Sequence, residues 1–584
     1  MVDVLGTGIG SLVAFSGYRR STRRIHNNKG GGIASVMRYF YMYMQKTVRG
    51  SFSFLYYLVT VCVVLIGCSS CYSTPLSSAP VFTSAPVIEL DPNLSTPLAA
   101  QLQVSTDIPT QIVLDISNDR KNWSIEFAEY QTKHTHPILG FYPGSTHNVT
   151  VHIMSRDGQR TTFNETLQVV TDPLPDGFPT VAVNKSEPDK MEPGYTLFDV
   201  IPEGNNAEFG ALIVIVDELG NVVWYQIGSR YTNVRQTAEG NLIYLQGSEY
   251  IEMDMLGNSV REWKAMGESK NKISETPVAT RSFHHEVFPL ENGNFLTLSI
   301  EARSFDNYPT KVWKPNSPTE TVMVAGDLVI EFTPDGNIIN QWSLLDLLDP
   351  YRIGYDSLGK YWDSFFGTKT RDWSHANSVI HNPSDDSIIV SIRHQDAVVK
   401  FSRKTGKLIW ILGSHDNWNT EKFGDYLLKP INERQYFFPF HQHSPTILPN
   451  GNLLLYDNGN YRANPYNKVV HYTENFSRAV EYAIDEENMT IELVWEHGQF
   501  TEERVFSGAL GDANFLPETG NVLITHGNIF EKKPGNKLSA QIVEVTHTTP
   551  AIEVFNIVVV DETSDPTNGW RVYRSKRISS LYPG

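Results

Sequence analysis

Cysteine is nearly absent: the 584 residues hold three, all between Cys62 and Cys71. From residue 72 onward there is therefore no disulfide framework, no cysteine zinc site and no catalytic thiol. Long apolar runs are equally scarce. One stretch, residues 52–67, stays uncharged for 16 residues, which is short for a bilayer span. Positive charge is in deficit: 48 Lys and Arg stand against 65 Asp and Glu, a formal net charge of −17. That balance excludes a nucleic-acid binder working through a basic face. The body of the chain has no GxxxxGK[ST] loop, no GxGxxG fingerprint and no HExxH, so nucleotide-dependent and dinucleotide-dependent chemistry has no sequence support. Helical periodicity is also missing, apart from the short SLLDLLDPYR at 343. With 19% charged residues the composition is that of an ordinary globular chain.

The first 67 residues carry eight Lys or Arg against one Asp, so the remainder is more acidic still. Arg38, Lys46 and Arg49 precede the apolar run, the order expected of an export signal. The run ends in Leu65-Ile66-Gly67-Cys68, which resembles a bacterial lipobox; the other reading is a signal anchor with a chance cysteine. The expectation is lipidation at Cys68, with Ser69 following it, and a periplasmic protein anchored to the outer membrane. Met37, Met42 and Met44 are alternative starts. Residues 68–84 are a Ser/Pro/Thr tether.

What is there instead is β pattern. Residues 85–176 hold short alternating runs (LAAQLQVST, TQIVLDIS, THNVTVHIMS, TTFNETLQVVT) separated by turn residues, as in an Ig- or fibronectin-like sandwich. From 177 to 584 one phrase recurs, a turn with Gly-Asn followed by an alternating apolar strand: DELGNVVWYQIG, TAEGNLIYLQG, LENGNFLTLS, TPDGNIINQWSL, LPNGNLLLYDNGN and LPETGNVLITHGN. Six units beginning near 180, 231, 283, 373, 441 and 510 predict an all-β chain with a six-bladed β-propeller after the small sandwich.

Three histidines fall in one phase of this repeat. His285 lies eight residues before Gly293, His443 eight before Gly451, and His375 begins the equivalent strand before a longer turn. The first strand of each blade lines the central channel, so residues at one phase converge there. Arg393 and His526 stand at a matching later phase, with Asp457. The imidazoles suit either a metal or an anion, and Arg393 favours the anion, because a guanidinium repels a metal cation and suits sulfate or phosphate oxygens. No metal or other cofactor is expected.

SFHHEVFPLENGN, DWSHANSVIHN…SIRHQDAVVKF…GKLIWILG and HQHSPTILPNGNLLLYDNGNYR resemble the bacterial arylsulfate sulfotransferase family over residues 80–580. The resemblance implies the same propeller-plus-sandwich fold, small aryl sulfates and phenols as partners, no nucleotide donor, and a covalent sulfohistidine with ping-pong kinetics. It implies His443 as nucleophile, with His285, His375 and Arg393 holding the sulfuryl oxygens and either histidine serving as acid or base. Asn377, His526, Phe283 and Tyr436 are candidate substrate-binding residues. Family members can dimerise. Two other readings stay open: a lipid-anchored propeller that binds an anionic ligand without turnover, and a metal-dependent hydrolase or lyase built on the histidines.

Overall fold

The computed structural model describes residues 78–268, 276–501, 504–530 and 537–583. The signal segment, Cys68 and the first part of the tether lie outside them. Residues 87–170 build one six-stranded antiparallel sheet. Its spine, Ala100–Ser117, pairs with Asn122–Ile138 along most of its length and with Thr146–Ser155 over its second half. The register breaks between Ser105 and Thr110, and both halves share one core that includes Leu102, Val104, Ile112, Leu114, Val149 and Val151. Two of the expected strands are thus one. Asn122–Ile138 escaped the sequence reading because, of its 17 residues, only Ile125, His134, His136 and Ile138 are buried. A strand with a solvated outer face shows little hydrophobic period.

The rest of the described residues forms six blades around an axis, each with four antiparallel strands, and three of them add a short parallel strand (Thr276–Val278, Thr370–Asp372 and Lys429–Pro430). The second to fifth are consecutive in the chain. They open with Thr232–Gln236, His284–Pro289, Ala376–Asn382 and His443–Ile447. The sixth runs from Asp512–Phe515 to Glu553–Val560. The innermost strands of neighbouring blades pack on one another around the ring. The first blade departs from the expected boundaries. Thr180–Ser186 does not begin it but adds a fifth strand to the outer edge of the sixth, with Phe555 opposite Ser186. Its innermost strand is instead Ser575–Ile578, which pairs with Tyr195–Phe198. The ring is therefore closed twice, at the axis by the C-terminal strand and at the rim by the strand that follows the sandwich. Phe295–Tyr308 and Glu320–Phe332 continue as a paired hairpin beyond the blade.

The recurring Gly-Asn phrase makes the hairpins. In Asp217–Asn221 the Gly220 amide donates to Asp217 O (3.0 Å) and the Asp217 amide to Asn221 O (2.9 Å). The same closure recurs at Gly240, Gly257, Gly293, Gly336 and Gly451, all with φ between +79° and +87°, a region glycine occupies at little cost. These turns join the first strand to the second and the third to the fourth. They all lie at one end of the ring, which leaves the strand starts and the second-to-third links at the other.

Two glycines separate conformational cost from closure. A Cβ on Gly293 (φ +83°) meets nothing within 4 Å, whereas on Gly194 (φ +108°) it meets Ile578 O at 2.2 Å, inside the closing strand. Gly293→Ala should cost about 1 kcal/mol. Gly194→Ala should cost about 3 kcal/mol, since the backbone must also shift. Urea unfolding of both variants checks this; equal losses would remove the closing strand from the explanation.

Candidate active site

The end of the ring opposite the hairpins carries His285, His375 and His443 at strand starts. Arg393 and Asn458 sit in second-to-third links. The backbone there is irregular in the same way in several blades. Register shifts occur between His284 and Val287, between Ala376 and Ser378, and between His443 and Thr446. His285 (φ +60°), His375 (φ +46°) and Ser444 (φ +52°) are left-handed, a conformation that costs roughly 1–3 kcal/mol outside glycine and clusters at functional sites. The bulges also correct the equal spacing read from the sequence. His443 pairs with Tyr456, five residues after Gly451, whereas the residue pairing five after Gly293 is His284, opposite Leu298. His285 sits one step further on, inside a larger bulge. A bulge adds residues without adding a ladder position, so counting from the turn misassigns the phase by one.

The electrostatics nonetheless bring the expected residues together. Burial, first, and then the guanidiniums of Arg393 and Arg574 and the imidazole of His375 hold His443 well below the usual imidazole range. His285 is lowered well below it too, by burial and then by His284, His375, His443 and Arg574. The His285 and His375 rings lie 5.1 Å apart. His443 Nδ1 is 2.6 Å from Asn458 Oδ1, and the Asn458 amide nitrogen donates to Ser507 O (2.8 Å) and Leu510 O (2.9 Å). Two carbonyl acceptors fix which end of that amide is nitrogen, so Oδ1 accepts from His443 Nδ1–H. The Nε2 of a neutral His443 therefore carries a lone pair. His375 Nδ1 is 2.6 Å from Asp372 Oδ2, so it donates to a carboxylate.

A second set of groups holds Arg393. Its guanidinium donates to His394 Nε2 (2.7 Å), which makes His394 a neutral acceptor whose Nδ1–H goes to Asp372 O (2.7 Å). Burial, ahead of His375 and Arg393, lowers the His394 pKa well below normal, in keeping with that role. Asp356 lies 3.7 Å from Arg393, 3.3 Å from His441 Nε2 and 2.8 Å from the Tyr461 hydroxyl. His441 Nδ1 is 2.8 Å from Asp396. Burial opposes a charge on His441, but the carboxylates of Asp396 and Asp356 outweigh it and raise its pKa. His441 therefore does not share the aspect of His443, two residues on. It precedes the strand, at φ +53°, and is locked between carboxylates.

A cavity of about 680 Å³ opens beside this cluster, with His284, His285 and His375 in its wall together with Tyr361, Trp362 and Tyr573. The four candidate substrate-binding residues fare differently. Phe283 borders the cavity but is 1% exposed and stacked on Tyr250 and Phe332. Asn377 is fully buried, and its amide nitrogen donates to Gln442 O (2.8 Å). His526 accepts or donates at Tyr456 OH (2.7 Å) and lines a separate cavity with His497. Tyr436 packs on Phe476 and under Arg462, and Asp457 is tied to Arg462 and Arg478 (both 2.8 Å).

Sequence reasoning missed Asn458, Asp372, Tyr573 and Arg574. The first two had a signal, since Asn458 follows the second strand in YDNGN and Asp372 stands three residues before His375. The last two lie outside the repeat and reach the axis only through the closing strand. The donor atoms of Asp372, His375 and His394 lie within 4.8 Å of one another, a spacing that suits a metal ion. They already bond to one another, however, and His394 Nε2 is taken by a guanidinium. A cation there would compete with Arg393.

The arylsulfotransferase family profile matches residues 180–574, and the profile of the arylsulfotransferase Ig-like domain matches residues 87–172. Arylsulfate sulfotransferase AssT of Lelliottia amnigena is 25% identical over 377 residues, 57% of this chain and 58% of the relative. AssT of Escherichia coli O6:H1 strain CFT073 is 26% identical over 377 residues, with the same coverage. The chain thus spans about 58% of the length of the curated relatives it matches. Among solved structures, the β-propeller domain of Myceliophthora thermophila Cps50 is matched at 11% identity and a TM-score of 0.28, over 66% of this chain and 98% of that one, a likeness too loose to carry an argument.

Removing His441 leaves Asp396 buried without its imidazole partner and takes one partner from the half-buried Asp356, which keeps Tyr461. His441→Ala should lose about 3–5 kcal/mol of stability, and urea unfolding measures it. A loss under about 1 kcal/mol would mean that the imidazole is not a buried cation.

Proposed function

The chain belongs to the arylsulfotransferase family, and from that premise we propose that it moves a sulfuryl group from an aryl sulfate to a phenol through His443. The observation that carries this reading is the Asn458 amide, which keeps the proton on Nδ1 and leaves the Nε2 lone pair of a buried, neutral imidazole unprotonated. A neutral imidazole is a competent nucleophile. In the first half-reaction Nε2 attacks sulfur, an N–S bond forms, the S–O bond to the aryl group breaks, and the phenolate leaves. In the second, the oxygen of an acceptor phenol attacks sulfur and returns the electron pair to Nε2. A loose, in-line transition state, as in phosphoryl transfer, leaves the protein to position groups and balance charge. Arg393, next to His443 and held by His394 and Asp356, faces the charge on the sulfuryl oxygens. His375 with Asp372, and His285, are placed to exchange protons with the aryl oxygen. The aromatic side of the cavity, Tyr361, Trp362 and Tyr573, suits an aryl ring.

The apolar run ending in LIGC supports export and lipid attachment at Cys68, which would place this reaction in the periplasm on a membrane-anchored chain.

Intact mass spectrometry after chelation, with p-nitrophenyl sulfate and no acceptor, tests the reading. A gain of about 80 Da should appear, be lost on adding phenol, and be absent in His443→Ala. Asn458→Ala should form the adduct about 100-fold more slowly, because the wrong tautomer then competes. Adduct or turnover that needs added metal would turn the assignment toward the Asp372–His375–His394 cluster.

The rate of adduct formation also has a defined acid limit. The neutral form of His443 reacts, and its pKa lies well below the ordinary value. The rate should therefore stay flat as pH falls from about 8 to about 6.5 and decline only below that. A midpoint at or above 6.5 in single-turnover kinetics would contradict the buried, neutral imidazole.

A further inference from the structure

His284 and His285 are adjacent in the chain, and adjacent residues of a regular strand point to opposite faces. Here they touch. The left-handed backbone at His285 turns its ring onto its neighbour, with Nδ1 to Nδ1 at 2.8 Å and centroids 5.0 Å apart. Both rings border the cavity that also holds His375. The far side of His284 is fixed. Its Nε2 is 3.1 Å from Ser299 O and 3.2 Å from Asp327 Oδ1. A carbonyl and a carboxylate only accept, so Nε2 carries a proton. Asp327 is fully buried. Its other oxygen accepts from Ser374 Oγ and the Ala376 amide, both at 2.6 Å, and Oδ1 has no hydrogen-bond partner besides this approach of His284. With His284 neutral, its Nδ1 lone pair accepts from His285 Nδ1–H, and His285 Nε2 is a free base.

We infer that Asp327, His284 and His285 form a proton relay that deprotonates the acceptor phenol in the second half-reaction. This rests on the sulfuryl-transfer reading. The acceptor O–H proton passes to His285 Nε2 as its oxygen bonds to sulfur and the N–S bond to His443 breaks. The proton on His285 Nδ1 passes to His284 Nδ1. One proton is taken up and one handed on, and the positive charge ends on His284 between Ser299 O and the Asp327 carboxylate. The reason for a second imidazole is the company His285 keeps. Burial, then His284 itself, His375, His443 and Arg574 disfavour charge on it, and the Tyr573 hydroxyl donates to its carbonyl (3.2 Å), not to its ring. His284 has an anion behind it. Run backwards, the same relay protonates a poor leaving group, whereas nitrophenolate needs no proton. His284 is thus a positioning and relay residue that acts through His285.

The test compares His284→Gln with wild type in each half-reaction. Glutamine offers an oxygen to His285 Nδ1–H but cannot take the proton. The p-nitrophenyl sulfate burst, read without acceptor, should change by less than about threefold. Transfer from the sulfuryl-enzyme to phenol should fall about 100-fold, the ordinary worth of a general base. Transfer to pentafluorophenol, already ionised at neutral pH, should fall by less than about threefold. Asp327→Asn should show the same dependence on acceptor acidity with a smaller loss, and it carries the comparison if His284→Gln does not purify folded. Equal losses with both acceptors, or a burst that falls as far as transfer, would overturn the relay. A wild type with no burst would overturn the sulfuryl reading and the relay with it, whereas a normal burst with acceptor-independent losses overturns the relay alone.

Discussion

The pairing of Ser575–Ile578 with Tyr195–Phe198 governs the rest of the structure. Four residues from the C-terminus supply the innermost strand of a blade whose other strands lie some 350 to 380 positions earlier. A closure that long carries a large loop entropy, offset here by burial of the sheet faces around the whole ring. Its consequence reaches past stability. The residues immediately before the strand, Tyr573 and Arg574, are pinned as it docks, with both amides on the Asp199 carboxylate at 3.3 and 3.2 Å. Arg574 then spans three blades, bonding Asn233, Glu286 and Asn377 O. It also presses on the charge states of His285 and His443. Closing the ring and assembling the site are the same event.

That arrangement sets an unusual charge balance. Buried imidazoles stand beside two guanidiniums, and Arg574 already has a carboxylate, Glu286, at 2.6 Å. Arg393 has Asp356 only at 3.7 Å. The local field thus favours an anion next to Arg393 and keeps His443, His285 and His394 neutral without any further device. A site of this kind presents an unprotonated Nε2 on His443 with no base needed to take a proton from it. It spends backbone strain instead: the left-handed residues at His285, His375 and Ser444 re-aim side chains that a regular pleat would direct elsewhere.

Much of this was legible in the chain. The Gly-Asn turns with alternating strands marked four-stranded units, because a left-handed turn residue and a period of two are both local properties. His285, His375, His443 and Arg393 were legible as a group, since a repeat carries like positions to one axis. What failed was non-local. The opening boundary near 180 was misplaced because nothing in Thr180–Ser186 tells that its partner is Phe555. The phase of His285 was off by one because bulge size is set by cross-strand pairing and not by spacing from the turn. Asn377 and His526 stand out by position, but their partners, Gln442 O and Tyr456 OH, come from far away in the chain. The strand Asn122–Ile138 was hidden by its own solvated face.

The six histidines near the axis show why site chemistry is harder to read than site location. The residue type is the same throughout, but the proton is placed by a second contact. Asn458 puts it on Nδ1 of His443 from 15 positions away, and Ser299 puts it on Nε2 of His284 from an equal separation. His394 accepts from its chain neighbour Arg393 and so must stay neutral. His441 is charged by Asp396 and Asp356, 45 and 85 positions away. An imidazole with a bare Nε2, one with a protonated Nε2, an acceptor and a buried cation thus differ in nothing the sequence writes at their own positions. They differ in which oxygen or nitrogen the fold sets beside each ring, and the propeller fixes that choice only once its blades have closed.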